Sequence, residues 1–302
     1  MKLDSEVFKI KAAAYVDRLC EFIGQNKSEL NRDRILVPLS GGVDSSTVVA
    51  LCARAVGSAQ VTALLMRERQ GNPEAADFSR MVIEQFGVES LQRDISGALS
   101  RLGTYGFILS RIPFRGIQDW ASRRYLKSAR QNPFLQIVKG NASALERKGF
   151  ARYNSKHRVR LVAEYLVAEE GNYLVAGCAH KSEDLVGLYV KFGVDDNADI
   201  MPLKNLYRSH ILQLAEFLGV PNAIVRRTPN PDIIPGVSDK YVDLLGLPSS
   251  TLDLILYGIE HGMDDEAIAG QLNLPAAKVA EIRDLVRRTE HMRTPSRSLT
   301  WE

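Results

Sequence analysis

Apolar residues recur at helical spacing near the start of the chain, where Val7, Ile10, Ala14, Val16, Leu19, Phe22 and Ile23 fall within residues 6–23. That period predicts a leading amphipathic helix. The pattern then changes. Ile35-Leu36-Val37-Pro38-Leu39, residues 61–66 and residues 173–177 are short unbroken apolar runs, as buried strands require, with a shorter one at 88–91. Between them lie helix-length stretches at 47–56, stopped by Gly57, and at 74–86, stopped by Gly87, with others at 156–168 and 182–190. Strands alternating with helices of this length predict an α/β fold, a doubly wound parallel sheet covered on both faces. Ligands of such sheets bind at the carboxyl ends of the strands.

Residues 103–150 break the pattern. They are rich in Arg, Lys, Ser and aromatics, carry Pro113 and Pro133, and show no strong apolar period. We read them as a basic, partly helical insertion. Beyond Gly246 the helical period returns at 252–259 and 275–288, with Asp264 or Asp265 capping a helix between them. The expected organisation is an α/β domain over 1–245 and a C-terminal helical extension over 246–302. Residues 264–279 look like a helix-turn-helix, but small helical tails often do, and a net charge of +3 over 302 residues does not point to nucleic acid. Cys20, Cys52 and Cys178 are odd in number and widely spaced, which fits neither a disulfide framework nor a zinc site. With no signal-peptide pattern and no run long enough for a membrane span, a cytoplasmic location without membrane association is expected.

The chemistry concentrates at Ser40-Gly41-Gly42-Val43-Asp44-Ser45-Ser46, between the first strand and its helix. Glycines let the backbone approach a phosphate, a helix N-terminus aims free N–H groups at it, and hydroxyls add donors. Asp44 would repel phosphate alone but suits a Mg²⁺ shared with a nucleotide. The string is not the kinase-type P-loop, because no lysine follows the second glycine. A plain capped turn needs one such residue, not seven in this order.

This stretch resembles the pyrophosphatase loop (PP-loop) of the ATP-pyrophosphatase superfamily, whose members have the adenine nucleotide alpha-hydrolase fold and transfer AMP from ATP to a substrate oxygen. Further motifs resemble the NAD synthase family in particular. Asn154-Ser155-Lys156-His157-Arg158-Val159-Arg160 matches its N-x-K-x-R-x-R string, with Asn154 expected to cap a helix and Arg158 on a different side from Lys156 and Arg160. Lys181-Ser182-Glu183, Lys191-Phe192-Gly193, Asp199-Ile200-Met201-Pro202-Leu203 and Leu206-Tyr207-Arg208 follow in the family's order, and the tail through His291 looks like the family's end. The resemblance covers roughly residues 30–95 and 150–295. It implies Asp44 and Glu183 as Mg²⁺ ligands, and residues 40–46, Cys178, Arg208 and Asn230 on ATP. Asn154, Lys156, Arg158, Lys191, Asp199 and His291 would face deamido-NAD. It also implies a homodimer.

Several departures from the family's pattern bear on specificity. Cys178 stands where the family has an ATP-binding Thr, Arg208 where it has a Lys, and Asn230 where a Ser or Thr is usual. The family's Gly-Asp-Gly segment becomes the longer Gly193-Val194-Asp195-Asp196-Asn197, and Met292 replaces a common lysine. The expected reaction adenylates the carboxylate of deamido-NAD, releases pyrophosphate, and lets ammonia displace AMP to give NAD. The stretch ahead of the loop is too short for an amidase domain, so free ammonia or a separate glutaminase is expected to supply nitrogen. Two other readings compete: adenylation of a different carboxylate or of an RNA base, and a nucleotide-binding relative without turnover.

Overall fold

The computed structural model of the chain describes residues 2–106, 115–128, 132–231, 236–296 and 298–299. Four strands, β1 (Arg34–Pro38), β2 (Val61–Arg67), β3 (Glu89–Asp94) and β4 (Tyr173–Val175), form a wholly parallel sheet in the order β3-β2-β1-β4. The helices around the first three strands are α1 (Ala12–Glu29), α2 (Val43–Val56), α3 (Glu74–Phe86) and α4 (Ser96–Arg101). Next come α5 (Arg115–Ser128), α6 (Pro133–Lys139), α7 (Ala144–Glu170), α8 (Lys181–Val186), α9 (Arg208–Leu218) and α10 (Asn222–Val225). The chain closes with α11 (Lys240–Leu245), α12 (Ser249–Glu260), α13 (Asp265–Leu272), α14 (Ala276–Arg288) and α15 (Glu290–Arg293).

Strand alternation sorts the side chains onto two faces. Ile35 and Val37 pack with Val16, Val48, Leu51 and Leu214 on the face covered by α1, α2 and α9. Leu36, Leu64 and Val175 point the other way, onto Val167 and Ala168 of α7. Both faces are therefore covered, as the apolar runs require. A second core joins α6 and α11–α14 to Tyr207, Val186 and, from the chain start, Leu3 and Phe8. Asp264 is the N-cap of α13, its carboxylate accepting from the Ala267 N–H at 2.7 Å.

Three sequence expectations need correction. The helix placed at 156–168 begins at Ala144, behind a Ser143–Glu146 capping box, so Asn154 lies inside the helix and is not its cap. The run at 88–91 understates β3, an edge strand whose residues are mostly exposed and so carry no apolar signal. The helix near 182–190 stops at Gly187, which has φ +70° and abuts Thr289 so closely that a Cβ would lie 2.6 Å from its methyl. The region read as an insertion holds α5 and α6. Pro113, with the rest of 107–114, lies outside the described residues.

Candidate active site

Going out from β1, the chain turns through α2 to β2 on one side, while β4 lies on the other. The carboxyl ends of β1 and β4 therefore meet where the winding reverses, the usual ligand position in an open α/β sheet. A cavity of about 800 Å³ opens there, lined by Ser40, Gly42, Val43, Asp44 and Ser45 among others.

The turn is tied internally. The Ser40 N–H donates to Ser45 Oγ at 3.3 Å, and the Gly42 N–H donates to Ser40 Oγ at 3.3 Å. Ser46 and Thr47 are buried, and their hydroxyls donate back to Gly42 O and Val43 O, both at 2.7 Å. Gly42 occupies the N-cap of α2 and contributes no capping side chain, so first-turn N–H groups are left to face the cavity. Gly41 has φ +76°, and a Cβ there would lie 2.8 Å from Ala75 O and 2.9 Å from Phe78 Cβ. Close packing of α3 against the turn requires glycine at this point.

Asp44, in the first turn of α2, meets Arg208, the first residue of α9: Arg208 Nη1 lies 3.3 Å and 3.4 Å from its two oxygens. Across the switch point, Glu183 in the first turn of α8 is paired with Lys240 Nζ, and Tyr241 OH donates to the same oxygen at 3.4 Å. His180 Nε2 bridges the two acids, 3.3 Å from Glu183 and 3.8 Å from Asp44. Burial works against the charged form of Glu183, but Lys240 and then His180 outweigh it and hold the carboxyl well below its usual range.

Buried Asp253 on α12 sets the geometry of this group. It accepts from Ser182 Oγ at 2.5 Å and from the Ser209 N–H and hydroxyl at 2.9 Å and 2.6 Å. Ser182 Oγ in turn accepts from the Arg208 N–H at 2.9 Å. The N-termini of α8 and α9 are thereby locked together, and Arg208 is aimed at Asp44. His180, Lys240 and Asp253 had escaped sequence reasoning. His180 stood inside a quoted motif without a role, while Lys240 and Asp253 carry no spacing signal of their own.

Cys178 lines the cavity with its thiol 3.9 Å from Pro38 O and Ala176 O. Burial, then the charges of Glu164, Asp195 and Asp44, push that thiol well above its ordinary value, so it is no thiolate nucleophile. Asn230 and Arg208 also line the cavity, and the Lys240 N–H donates to Pro229 O at 3.0 Å. Asp232, next in that loop, is outside the described residues.

The residues expected on the acceptor side sit elsewhere. Lys156 is buried and bonded to Glu68 at 3.1 Å, with Arg160 3.4 Å from the same carboxylate. Arg158 does point away from both, donating to Lys191 O at 3.2 Å, and Lys191 Nζ donates to His291 O. His291 Nδ1 is 2.8 Å from Arg288 O. Asp199 accepts from the Val175 N–H at 2.8 Å and from Tyr165 OH at 3.3 Å. Asn154 is on α7, and none of these six lines the cavity.

One ligand atom from each of Asp44, His180 and Glu183 lies within 4.8 Å of the others. Two carboxylates supply the hard oxygens a Mg²⁺ prefers, so the donor set fits once Lys240 moves aside. A parallel sheet with an anion-binding turn, paired acids and a buried arginine at its switch point defines a nucleotide-binding protein of the adenine nucleotide alpha-hydrolase type.

The pattern of the NAD synthase family matches residues 15–105 and 126–296, and the chain belongs to that family. The NH(3)-dependent NAD(+) synthetase of Coprothermobacter proteolyticus is 35% identical over 256 residues, 82% of this chain and 86% of its own. That of Methanocaldococcus jannaschii is 31% identical over 279 residues, 92% and 93% of the two chains. Among solved structures, an NMN synthetase from Francisella tularensis superposes with a TM-score of 0.70 at 22% identity, over 97% of this chain and 100% of that one. An NH3-dependent NAD synthetase from Campylobacter jejuni gives 0.67 at 19% identity over 96% and 100%. At these identities the two structures speak for the fold.

Proposed function

We propose that this chain is an ammonia-dependent ligase that converts deamido-NAD to NAD, consuming ATP and releasing AMP and pyrophosphate. The observation that carries the proposal is the meeting of the 40–46 turn, Asp44, Glu183 and Arg208 at one switch point, in a chain of the NAD synthase family. The first-turn N–H groups of α2 and the hydroxyls of Ser40 and Ser45 hold the departing pyrophosphate. Arg208 stands where negative charge grows on that group, and donors already in place there contribute about 2.7–4 kcal/mol in comparable sites. Asp44 and Glu183 would hold Mg²⁺, which supplies charge neutralisation on the phosphates when bound. The nicotinate carboxylate attacks the α-phosphorus to give an acyl-adenylate, and ammonia displaces AMP. No nucleophilic side chain is required, in keeping with the raised Cys178 thiol.

Deamido-NAD would reach Arg158, Lys191 and His291 only outside the cavity of one chain. A homodimer accounts for this, and α7 offers a face for it: Val162 is 70% and Leu166 56% exposed on successive turns, and Phe192 is exposed nearby in sequence to Lys191. Three free cysteines suit a reducing compartment, the cytoplasm. Free ammonia is the proposed nitrogen source. A second reading keeps adenylation but changes the carboxylate acceptor; the observation in its favour is that Lys156 and Arg160 both pair with Glu68. AMP formation from ATP, measured with deamido-NAD and either ammonium chloride or glutamine, tests the proposal. Deamido-NAD-dependent AMP with ammonium supports it, and activity with another carboxylate but not deamido-NAD overturns it.

A further inference from the structure

His180 stands between the two acids of the switch point and is 0% exposed. It is the N-cap residue of α8, with extended backbone at φ −139° and ψ 163°, yet its side chain makes no capping bond. A helix start normally takes Ser, Thr, Asp or Asn, whose oxygens satisfy the first N–H groups. Here the ring is turned away from that task and onto the carboxylates. Its backbone is fixed on the C-terminal side, where the Lys181 N–H donates to Leu206 O at 2.9 Å and Ser182 is tied to Asp253. The imidazole is thus presented from a rigid corner.

Its contacts there are loose for hydrogen bonds and close to what a shared ion requires. Nε2 lies 3.3 Å from Glu183, 3.8 Å from Asp44 and 3.4 Å from Tyr241 OH. All three exceed the usual span of an N–H···O bond. Donors about 2.1 Å from one octahedral ion stand about 3 Å apart when adjacent and about 4.2 Å apart when opposite. One atom from each of Asp44, His180 and Glu183 already lies within 4.8 Å of the others, so small side-chain movements close the set. On the far side of the ring, Nδ1 is buried without a hydrogen-bond partner among the described residues. Nothing there ties the ring proton to either nitrogen, and Nε2 can offer its lone pair.

The chemistry of such a set differs from that of two carboxylates alone. Mg²⁺ prefers oxygen and keeps its waters, whereas an imidazole nitrogen favours first-row transition ions. We propose that His180 is a third protein ligand of the metal held by Asp44 and Glu183, and that its nitrogen makes the site favour a first-row transition cation such as Mn²⁺ over Mg²⁺. The inference rests on the reading of Asp44 and Glu183 as metal ligands. The ion takes the place that Lys240 Nζ holds on Glu183, since two cations cannot share that oxygen at close range.

The test uses the full chain as wild type, His180→Asn and Asp44→Asn, with Mn²⁺ or Mg²⁺ as the chloride, alone and with ATP but no acceptor. Thermal unfolding and loss of the free Mn²⁺ paramagnetic resonance signal report binding. His180→Asn is expected to weaken Mn²⁺ by about tenfold or more, at least the effect of losing a group that merely supports a ligand, and Mg²⁺ by less than about threefold. Spin-echo spectra of Mn²⁺ on wild type are expected to show modulation from a coordinated nitrogen that changes when the histidines carry ¹⁵N. That modulation should vanish in both variants. Bound Mn²⁺ without nitrogen modulation in wild type overturns the ligation by His180 while leaving Asp44 and Glu183 as metal ligands. Modulation that persists in His180→Asn, or equal weakening of both ions, overturns it as well. If wild type binds neither ion with or without ATP, the reading of Asp44 and Glu183 fails and this proposal with it. Should His180→Asn not fold, the wild-type spectra, with Asp44→Asn as the control for ions bound elsewhere, decide alone.

Discussion

Gly41→Ala separates two demands that meet in the phosphate-binding turn, and the structure supplies a control for it. Gly41 has φ +76°, and a Cβ on it would meet Ala75 O at 2.8 Å, Phe78 Cβ at 2.9 Å and Ser79 N at 3.2 Å. Two of these are backbone atoms of α3 and cannot rotate away. Gly87, the C-cap of α3, has a similar φ of +61° but no atom within 4 Å of its would-be Cβ. An L-residue in the left-handed region costs about 1–2 kcal/mol, which is the whole effect expected for Gly87→Ala. Gly41→Ala adds an overpacking cost of about 1–3 kcal/mol, giving about 2–5 kcal/mol in all. Urea denaturation of the two variants beside wild type measures the difference directly. The extra cost has a functional counterpart. Relief of the clash must push the turn away from α3 and re-aim the α2 N–H groups, and a displacement of about 1 Å at a positioned group costs up to about a hundredfold in rate. AMP formation should therefore fall far more in Gly41→Ala than in Gly87→Ala. If the two variants lose equal stability and keep equal activity, α3 does not constrain the turn and the argument fails.

Asp44→Asn keeps the size of the side chain and removes its charge; AMP formation is expected to fall by about a hundredfold or more, and the thermal midpoint to fall as well because buried Arg208 loses its partner. Lys240→Met removes the cation on Glu183, and magnesium chloride should then stabilise the variant at lower concentrations than wild type in thermal unfolding. The pH dependence of stability has two opposing parts. The folded-state value of Glu183 is lowered, so its contribution is present above the ordinary 4.5 and is lost as pH falls toward the folded value. That of Glu164 is raised by burial and by Asp195 and Asp199, so its contribution is present below 4.5 and is lost as pH rises through the folded value. Glu164→Gln should flatten the decline in urea midpoint as pH rises above the ordinary 4.5, and an unchanged slope would show that this carboxyl is not protonated in the folded chain.

The parts of the fold legible in the sequence are those where local composition and burial agree. β1 and β2 are central, buried on both faces, and read as apolar runs, whereas β3 is an edge strand whose mostly exposed side chains conceal its length. The start of α7 was misplaced because Asn154 is an acceptable cap, while the Ser143–Glu146 box lay inside a stretch without apolar period. Residues 40–46 were legible because backbone geometry and chemistry coincide there. Lys240 and Glu183 are brought together from distant points in the chain, and a lone lysine has no local signature for such a contact. The same limit hid Glu68: nothing in Arg67-Glu68-Arg69 marks the middle residue as the one whose side chain is 1% exposed and bonded to α7.

The charges at the switch point clarify how a buried and a half-buried acid survive side by side before nucleotide arrives. Asp44 and Glu183 bring two negative charges, and Arg208 and Lys240 bring two positive ones, so the group is close to neutral. Removing Lys240 would strand the buried Glu183 carboxylate, and removing the Asp44 charge would strand buried Arg208, each costlier than never having buried the pair. The two cations are nevertheless not equivalent. Arg208 is held along its length: its N–H is fixed by Ser182, Ser182 by Asp253, and its guanidinium reaches both oxygens of Asp44. Lys240 is held by its N–H on Pro229 O and by one carboxylate oxygen, at the end of a flexible four-carbon stem beside the Pro229–Pro231 loop. Its ammonium can therefore leave Glu183 without disturbing the α8–α9 junction, while Arg208 cannot leave Asp44 without breaking it. The fixed cation is the one suited to meeting growing charge on the leaving group, and the movable one to giving up its place.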